Sequence, residues 1–430
     1  MINPEKVLVD NLLEELFPIF RSISGDGLIK TIKTIKKFMP LRITRFKSRS
    51  KINDWIVPME WQINNAYIIT PDNKKICNIL DNNLHIVNYS KPVNKYIYKK
   101  DLDKHLFSIP SLPDAIPYIT SYYKKTWGFC ITHNQRKKLK SGKYKVYIDS
   151  NFKDGFVPVA ECSIKGKSKR EIIFTSYICH PSMANDQLSG PITLLLLYNR
   201  LIRKKKPRFS YRFIFMPETI GSICYLNKNY NRLKKNLIAG YTVSLTGGSG
   251  PIVYRQARTN YCLSNIIMKR ILKNKECIIE KFDPSRGNDQ RQFCSPGYNL
   301  PFGALTHTRT KKTKEYHTSH DNIRNLKKDN IIKITNICEK LVEKFEKLEM
   351  YKSLKQRGEP FLSKYNLYPT LNSFYSKTSL KRFTKTIMWL LNYSDGKNDL
   401  TEISIKSKIK LNVLKKAVKV CLKNKLLLKI

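Results

Sequence analysis

The hydrophobic positions of this chain follow two spacings, and their alternation marks its central region. From Tyr144 onward, short apolar runs typical of buried strands alternate with stretches of helical periodicity. The strand-like runs are YKVYIDS, EIIFTSYI, RFIFMPE and GYTVSL, and the helical stretches include ITLLLLYNRLIRK and SICYLNKNYNRLKKN. Strands that alternate with helices form a mostly parallel sheet with helices on both faces. The pattern therefore predicts an α/β fold.

Helical patterns precede and follow this region. Residues 1–48 have helical spacing with a break at Gly25–Gly27, and a further helix is predicted from Asn330 to about Tyr351. The main fold resumes near Pro117 after a different stretch. Residues 1–48 and 117–352 are therefore assigned to one α/β domain.

The stretch between these two parts, residues 49–116, has another texture. Short β-rich runs alternate there with turn signals such as PDN and DNN. This predicts a small antiparallel β-domain. Its aromatic residues could form a carbohydrate or peptide platform, but we favour a role in the core of the β-domain for Trp55, Trp61 and Tyr67.

The C-terminal part, residues 365–430, is predicted to form a winged-helix domain. Three short helical patterns lie at Phe383–Leu391, Thr401–Lys408 and Leu411–Asn424. The last has an apolar face made by Leu411, Leu414, Val418, Cys421 and Leu422. Residues 381–430 contain 13 Lys plus Arg against 3 Asp plus Glu. Such modules often bind DNA, yet this helix exposes lysines and almost no side chains that read base edges. Protein interaction or packing is an equally good interpretation.

The net charge of +47 is spread along the whole chain. A charge of this size can attract nucleic acid, anionic lipid or acidic substrates. Lys, Ile and Asn are abundant together, as an AT-rich coding bias would produce. We therefore expect a solvated basic surface in preference to a specific nucleic-acid site, with acidic partners or substrates still compatible. The oligomeric state is not indicated.

The cysteines and the apolar runs bear on location. The ten cysteines are scattered without a CxxC pair, which indicates neither a zinc ribbon nor a disulfide framework. No apolar run approaches the ~18 residues of a membrane span. The N-terminus has acidic residues within its apolar pattern, unlike a secretory signal. We therefore expect a cytoplasmic protein without a membrane span.

Residues with metal-binding chemistry follow the predicted strands. His180 and Asp186 lie in the turn after EIIFTSYI, Glu218 ends RFIFMPE, and His317 lies in EYHTSHDN. Asp289 precedes another turn. Nitrogen and carboxylate ligands of this kind suit zinc, and the ends of strands in α/β folds are where sites assemble. A single turn of this kind would more often cap a helix, so the prediction of a metal site depends on the whole series of residues.

This series resembles that of the co-catalytic zinc exopeptidases, of the aminopeptidase and glutamate-carboxypeptidase type. More closely, the chain resembles a bacterial family of polysaccharide-biosynthesis proteins with an aminopeptidase-like domain. The phrases that carry this resemblance are RSISGDG, IPYITSYYKKTWGFC, HPSMAND, PETIGS and YHTS. It implies a zinc-exopeptidase-like fold in which residues 49–116 are an inserted domain, and it agrees with a C-terminal winged helix.

The resemblance also implies roles for individual residues. Asp186 would bridge two zinc ions, His180 would hold one of them, and His317 with Glu218 would hold the other. Glu218 is also the candidate catalytic residue, as the carboxylate that accepts a proton from water. Candidate residues for substrate contact or ligand support are Asp289, Arg291 and Tyr316. For Asp289 and Arg291, a surface ion pair is the alternative.

Three departures from the exopeptidase pattern stand out. Pro217 precedes a single glutamate where those enzymes have two adjacent ones. Ser182 stands where an Asp would orient the ligand histidine, a role in which a backbone carbonyl could substitute. Gly248 stands where the family has the last Asp ligand of the first metal, which makes a second ion doubtful. His320 is a spare imidazole that we expect to point elsewhere.

Two functions follow from these observations. The first is a metal-dependent amide hydrolase that acts on a small peptide-like substrate or on an amino-acyl or acyl-amino sugar, binding one or two zinc ions. A connection to surface polysaccharide metabolism is implied by the family name alone. The second is a catalytically impaired binding or regulatory protein that uses the peptidase scaffold and the winged helix.

Overall fold

The computed structural model describes residues 3–273, 277–307, 313–368 and 379–430. The chain forms two compact units. The first comprises Met1–Thr259 and Ile271–Lys340, and the second comprises Asn260–Arg270 and Leu341–Ile430. All residues of the candidate site lie in the first unit.

The bounds of the secondary-structure elements are as follows. The helices are α1 (Pro4–Leu16), α2 (Asp26–Lys36), α3 (Lys99–Leu102), α4 (His133–Lys137), α5 (Gly190–Ile202), α6 (Ile220–Asn236), α7 (Leu263–Ile271), α8 (Gln290–Phe293), α9 (Lys328–Glu346), α10 (Ser379–Tyr393), α11 (Leu400–Ser407) and α12 (Leu411–Lys423). The strands are β1 (Arg42–Lys47), β2 (Lys51–Ile52), β3 (Trp55–Ile56), β4 (Glu60–Ile69), β5 (Lys75–Ile76), β6 (Val93–Tyr98), β7 (Leu106–Phe107), β8 (Phe129–Cys130), β9 (Lys143–Lys153), β10 (Phe156–Ile164), β11 (Glu171–Tyr177), β12 (Ser210–Met216), β13 (Leu237–Val243), β14 (Ile252–Arg255), β15 (Cys277–Glu280), β16 (Phe302–Thr306), β17 (Met350–Ser353), β18 (Asp395–Asp399) and β19 (Leu427–Lys429).

An eight-stranded sheet in the order β1-β10-β12-β11-β13-β16-β14-β15 forms the centre of the first unit. Strands β12, β11, β13 and β16 run parallel to one another, and β1 and β10 pair antiparallel with their neighbours. Strand β14 pairs antiparallel with β16 and parallel with β15. Every residue of β11 is buried, as expected for a central strand covered on both faces. The predicted α/β fold with a mostly parallel sheet is confirmed.

The carboxyl ends of the parallel strands bring the predicted polar segments together. His180 follows β11, Glu218 follows β12, and Leu245 follows β13. Neighbouring parallel strands end at the same edge of a sheet, and ligand sites of open α/β sheets lie outside that edge. The order of the strands thus makes neighbours of residues that are far apart in the sequence.

A smaller antiparallel sheet, in the order β5-β4-β9-β6, extends beyond the predicted β-domain. Three of its strands lie within residues 49–116, but its central strand β9 contains the YKVYIDS run. The prediction that YKVYIDS belongs to the parallel sheet is therefore wrong. Both sheets accept a strand of alternating burial, so the pattern alone did not distinguish them. Trp61 is 2% exposed and packs in the core beneath this sheet, as predicted.

The N-terminal segment is helical only in part. Helices α1 and α2 form as predicted on either side of Gly25, but Arg42–Lys47 is the edge strand β1, paired antiparallel with β10. The helical prediction up to residue 48 is wrong at its end. Thr and Ile in RITRFK favour extended backbone, and the open edge of the sheet satisfies its hydrogen bonds.

The second unit contains the three predicted C-terminal helices as α10, α11 and α12. Its three-stranded sheet has the order β18-β17-β19, so the unit begins earlier than the predicted residue 365. Leu414, Val418 and Cys421 on α12 are buried as predicted, whereas Leu422 remains 37% exposed. Asp399 caps α11 in a capping box, in which its side chain accepts from the backbone N–H of Glu402.

Two further observations concern the expectations about location. The ten cysteines are free thiols, and nine of them are buried. Within the four described stretches of the chain, no helix combines the length and the hydrophobicity needed to cross a bilayer.

Candidate metal centre

Three predicted ligands meet at the carboxyl edge of the large sheet. One donor atom each from His180, Asp186 and His317 lies within 4.8 Å of the other two. His317 Nε2 is 3.1 Å from Asp186 Oδ2, and His180 Nε2 is 3.7 Å from Glu218 Oε2. The structure therefore brings all four predicted metal-binding residues together.

The His180 imidazole is oriented by a side chain that the sequence did not point to. Gln187 Oε1 lies 3.2 Å from His180 Nδ1 and also accepts from the His180 backbone N–H, while its Nε2 donates to Tyr177 O at 2.7 Å. An acceptor at Nδ1 leaves Nε2 unprotonated and free to bind a metal. The predicted backbone carbonyl is therefore replaced by Gln187. Ser182 instead accepts from Asn83.

Asp186 is held in an irregular turn. It lies in a π-helical segment, Ala184–Ser189, with φ −84° and ψ 47°. The carboxylate of Asp321 accepts the backbone N–H groups of Asn185 and Asp186, each at 2.6 Å, and the Tyr177 hydroxyl donates to Asp186 Oδ1. These contacts fix Oδ1 and leave Oδ2 facing the histidines.

Glu218 stands at a sharp turn that Asp289 supports. The next residue, Thr219, has φ 63°, an unusual value for a β-branched residue. Asp289 Oδ1 accepts the Thr219 backbone N–H at 2.8 Å and the Ser222 hydroxyl at 2.9 Å. Asp289 is fully buried, so its alternative interpretation as part of a surface ion pair is wrong. Arg291 is half-buried beside it.

Burial and charge perturb the acidic groups of the site. Burial, with the neighbouring Asp289 and Asp186 carboxylates, raises the pKa of Glu218 to about 8. Burial raises the pKa of Asp289 to about 6, although hydrogen bonds from Thr219 and Ser222 oppose this effect. A site with this accumulation of negative charge favours a cation or a retained proton.

The basic and bridging groups respond differently. Burial lowers the pKa of His180 to about 4, which keeps its imidazole neutral. Burial raises the pKa of Asp186, but the contacts with His317, His180 and Tyr177 outweigh it and hold that pKa below its ordinary value. A neutral imidazole and an ionised carboxylate are the forms that bind metal.

These residues fit a divalent metal ion. Asp186 Oδ2 is buried and accepts no hydrogen bond within the described part of the chain, although His317 Nε2 is close to it. An ionised oxygen without a hydrogen bond is costly to bury, and a cation among the three donors would remove that cost. Imidazole nitrogen with carboxylate oxygen is a donor set that zinc accepts.

Aromatic rings confine the two histidines. Tyr118 lies 5.0 Å from His180 and 5.4 Å from His317 between ring centroids, and Tyr316 stacks on His317 at 4.0 Å. The backbone N–H of Tyr118 donates to His317 O at 2.8 Å, and His317 itself has φ 58°. The loop before β8 therefore helps to fix the His317 turn.

Two cavities adjoin the metal-binding residues, and Glu218 and His317 line both. The first, of about 360 Å³, is polar and also contains Tyr316, Arg255 and Asn288. The second, of about 310 Å³, is mostly aromatic and is lined by Trp55, Tyr118, Tyr122 and Tyr123. Trp55 remains 37% exposed, so the predicted core role does not hold for it. The 49–116 stretch thus contributes to the wall of the site.

Gly248 and His320 lie in a different, small cavity with Asn185 and Asp321. His320 does point elsewhere, as expected. At the end of β13 the residue that lines the polar cavity is Leu245, with φ 52°. Its side chain has no metal-binding atom, so this strand end supplies no ligand through Leu245.

Sequence reasoning missed three residues that support the site: Gln187, Asp321 and Arg21. Arg21 is fully buried and donates from Nε to His180 O at 2.8 Å. The RSISGDG phrase was a usable signal for Arg21, because an arginine in an otherwise apolar N-terminal pattern is unusual. Asp321 lies four residues after His317, close enough to be tested as a partner. Nothing in the sequence marked Gln187.

Comparison with known proteins agrees with this geometry. Residues 10–348 match the model of the DUF4910 family, described as a domain of unknown function, and residues 349–429 match a winged helix-turn-helix model. A protein of Clostridium acetobutylicum, provisionally named as a polysaccharide biosynthesis protein with an aminopeptidase-like domain, is 39% identical over 411 residues. That alignment covers 95% of this chain and 93% of the relative.

Solved structures show the same fold. A crystal structure described as a peptidase from Clostridium acetobutylicum matches with a TM-score of 0.79 and 37% identity, over 99% of this chain and 96% of that one. A zinc aminopeptidase from Bacillus subtilis matches with a TM-score of 0.58 and 12% identity, over 79% and 94%. A peptidase M28 precursor from Shewanella amazonensis matches with a TM-score of 0.55, 12% identity and coverage of 79% and 92%. The last two establish the fold alone.

The shared fold, the length of the alignment and the winged helix lead to one assignment. This chain belongs to the DUF4910 family and combines an aminopeptidase-like scaffold with a C-terminal winged helix-turn-helix domain.

Proposed function

We propose that this protein is a zinc-dependent amide hydrolase of the aminopeptidase type, acting on a small peptide-like or amino-acyl sugar substrate. The observation that carries the proposal is the convergence of His180, Asp186 and His317 around the unbonded Asp186 Oδ2. Glu218 lies at the edge of this group and lines both cavities. The zinc aminopeptidases that share the fold support the same reaction type.

His180, Asp186, His317 and Glu218 would hold the ion. A bound divalent ion supplies an acidified water and polarises the carbonyl of the substrate amide. The chain's own groups do the remaining work. Glu218, at the edge of the metal-binding group with 29% side-chain exposure, is the carboxylate that would accept a proton from water and return it to the leaving amine.

Positioning depends on residues behind these groups. Asp289 fixes the Glu218 turn through Thr219, and Gln187 sets the tautomer of His180. Tyr316 lines the polar cavity beside His317, where its hydroxyl can donate to a substrate oxygen. We assign Arg291 to the charge balance around Glu218, because it opposes the rise in the pKa of that group.

The substrate must be small. Cavities of about 360 and 310 Å³ on the two sides of Glu218 and His317 are at the lower end of the range for ligand sites. Such cavities suit one residue or sugar on each side of an amide. An extended protein segment is not expected to fit, so we propose an exopeptidase-like reaction.

The first experiment is metal stoichiometry by plasma mass spectrometry on protein purified without a metal-affinity tag. We expect one to two equivalents of zinc, and a clear loss in His317→Ala. A Glu218→Gln variant should lose amidase activity by about 10²-fold or more. Full activity in Glu218→Gln, or no zinc uptake after incubation, would refute the hydrolase.

A second candidate function is a binding or regulatory role without catalysis. Leu245 favours it, because it offers no metal-binding atom at the end of β13. The winged-helix domain gives such a protein a second interaction module. Absence of zinc uptake, together with retention of a duplex in a gel shift at physiological salt, would support this role over hydrolysis.

A further inference from the structure

The polar cavity beside the candidate metal centre has a cationic wall that the proposed hydrolysis does not use. This wall contains Arg255, the last residue of β14, and Arg286 and Asn288, which lie in the loop after β15. We propose that it binds an acidic amino-acid residue of the substrate, with the carboxylate on the two arginines and an N–H group on Asn288. This inference rests on the proposed function and names the substrate class of the same site.

Asn288 lines the polar cavity and has a side-chain acceptor that is not used within the described part of the chain. Asn288 is 8% exposed, and its side-chain Nδ2 donates to Ser244 Oγ at 3.0 Å. Oδ1 accepts no hydrogen bond in the described part of the structure. Gly287, with φ 98°, makes the turn that presents Asn288 to the cavity. A buried amide oxygen without a donor is costly, and a substrate amine or amide N–H would satisfy it.

The arginines supply the charge. Arg255 has a side chain that is 11% exposed, and its Nε pairs with Glu280 Oε2 at 2.9 Å. Its remaining guanidinium nitrogens have no partner recorded among the described residues. Arg286 is 56% exposed and contacts Asp283 at 3.5 Å, a separation too long for a strong bond. Both guanidinium groups can therefore donate hydrogen bonds to a substrate carboxylate.

The net charge of the cavity follows from the titratable residues that line it. Asp186 and Glu218 face the metal group, so a bound ion neutralises them. Among the described lining residues, two arginines then stand against Glu280, while Asp283, outside the lining, contacts Arg286 at 3.5 Å. A substrate carboxylate can replace this long contact of Arg286, whereas a second cation would be repelled by the two arginines. The acceptor on Asn288, next to these arginines, matches the amine of the same residue.

The test is isothermal titration of zinc-loaded wild-type protein with L-glutamate and with L-glutamine. These ligands differ in one group, and neither needs to be hydrolysed. We expect L-glutamate to bind about tenfold more tightly than L-glutamine, as one charge-assisted contact would give. The same comparison with L-aspartate and L-asparagine tests the depth of the cavity.

Variants identify the groups responsible. Arg286→Gln should reduce the preference to about twofold or less, and the pair Arg255→Gln with Glu280→Gln should do the same without leaving a buried charge unpaired. Asn288→Ala should weaken both ligands equally, because both carry the amine. Arg49→Gln is the matched control, since it removes an exposed arginine paired with Asp154 elsewhere on the surface.

Equal affinity for acid and amide in both pairs overturns the inference, as does a preference that survives Arg286→Gln. The absence of measurable binding by all four amino acids also overturns it. A protein that prefers L-glutamate but hydrolyses no amide would refute the hydrolase while leaving this ligand preference in place.

Discussion

Removing the Gln187 side chain should leave the imidazole of the candidate zinc ligand His180 without the contact that orients it. Gln187→Ala deletes the acceptor 3.2 Å from His180 Nδ1 and the acceptor of the His180 backbone N–H. Loss of such a partner commonly lowers metal affinity by 10–100-fold, or about 1.4–2.7 kcal/mol. The imidazole would also be free to place its proton on Nε2, the atom that faces Asp186 and Glu218.

Competition between the protein and a chromophoric chelator measures the zinc affinity, and ¹⁵N NMR of the histidine ring reports its tautomer. Gln187→Glu keeps an acceptor for His180 Nδ1 but places a carboxylate oxygen against Tyr177 O, so it should restore the tautomer and only part of the affinity. Ser182→Ala is the matched control, because Ser182 lies in the same turn but bonds to Asn83. Unchanged zinc affinity in Gln187→Ala, or a larger loss in Ser182→Ala, would refute this account of how His180 is held.

Two predictions concern stability. Gly27→Ala would place a methyl group 1.6 Å from the carbonyl oxygen of Phe20 and should cost about 2–3 kcal/mol or prevent folding, whereas Gly297→Ala, with no described atom within 4 Å of the new methyl, should be neutral; equal melting temperatures would contradict this. In the second unit, burial raises the pKa of Glu402 from 4.5 to about 7. As pH rises, the unfolded chain therefore releases the Glu402 proton at a lower pH than the folded chain does. The unit should consequently lose up to about 3 kcal/mol of stability between pH 4.5 and pH 7. Hydrogen exchange of the α11 amides between pH 5 and 8 measures this loss, and Glu402→Gln should abolish it; an equal loss in the variant would show that another group titrates.

The proximity of the candidate ligands could be expected from the sequence because each has metal-binding chemistry and a recognisable place in the alternation of strands and helices. His180, Asp186, Glu218 and His317 each follow or lie beside an apolar run or a turn that the sequence displays. Parallel strands then impose the rest, since their carboxyl ends meet at one edge of the sheet. The prediction therefore did not need to specify each contact between these residues.

The supporting contacts were not predictable in the same way. Gln187 reaches His180 because a π-helical turn brings the two side chains together, and no residue type announces that turn. Asp289 carries a carboxylate that suits a surface ion pair equally well, and only its burial assigns it to the Glu218 turn. Leu245 faces the cavity through a positive φ that its sequence neighbours do not indicate.

The two misassigned strands had different causes. Alternating burial marks YKVYIDS as a strand but says nothing about which sheet receives it, and this run pairs antiparallel with β4 and β6. RITRFK became a strand because the edge beside β10 was open to it.

The central position of β9 in the small sheet limits how this protein can be dissected. Both neighbours of β9 lie within residues 49–116, while β9 itself continues after two residues into β10 of the large sheet. Cutting out residues 49–116 would remove the hydrogen-bond partners along both edges of β9 and leave its eleven residues unpaired beside the large sheet. Exposed edges of that kind pair with other chains. A protein shortened in this way should therefore aggregate, so the two sheets should be expressed and purified together.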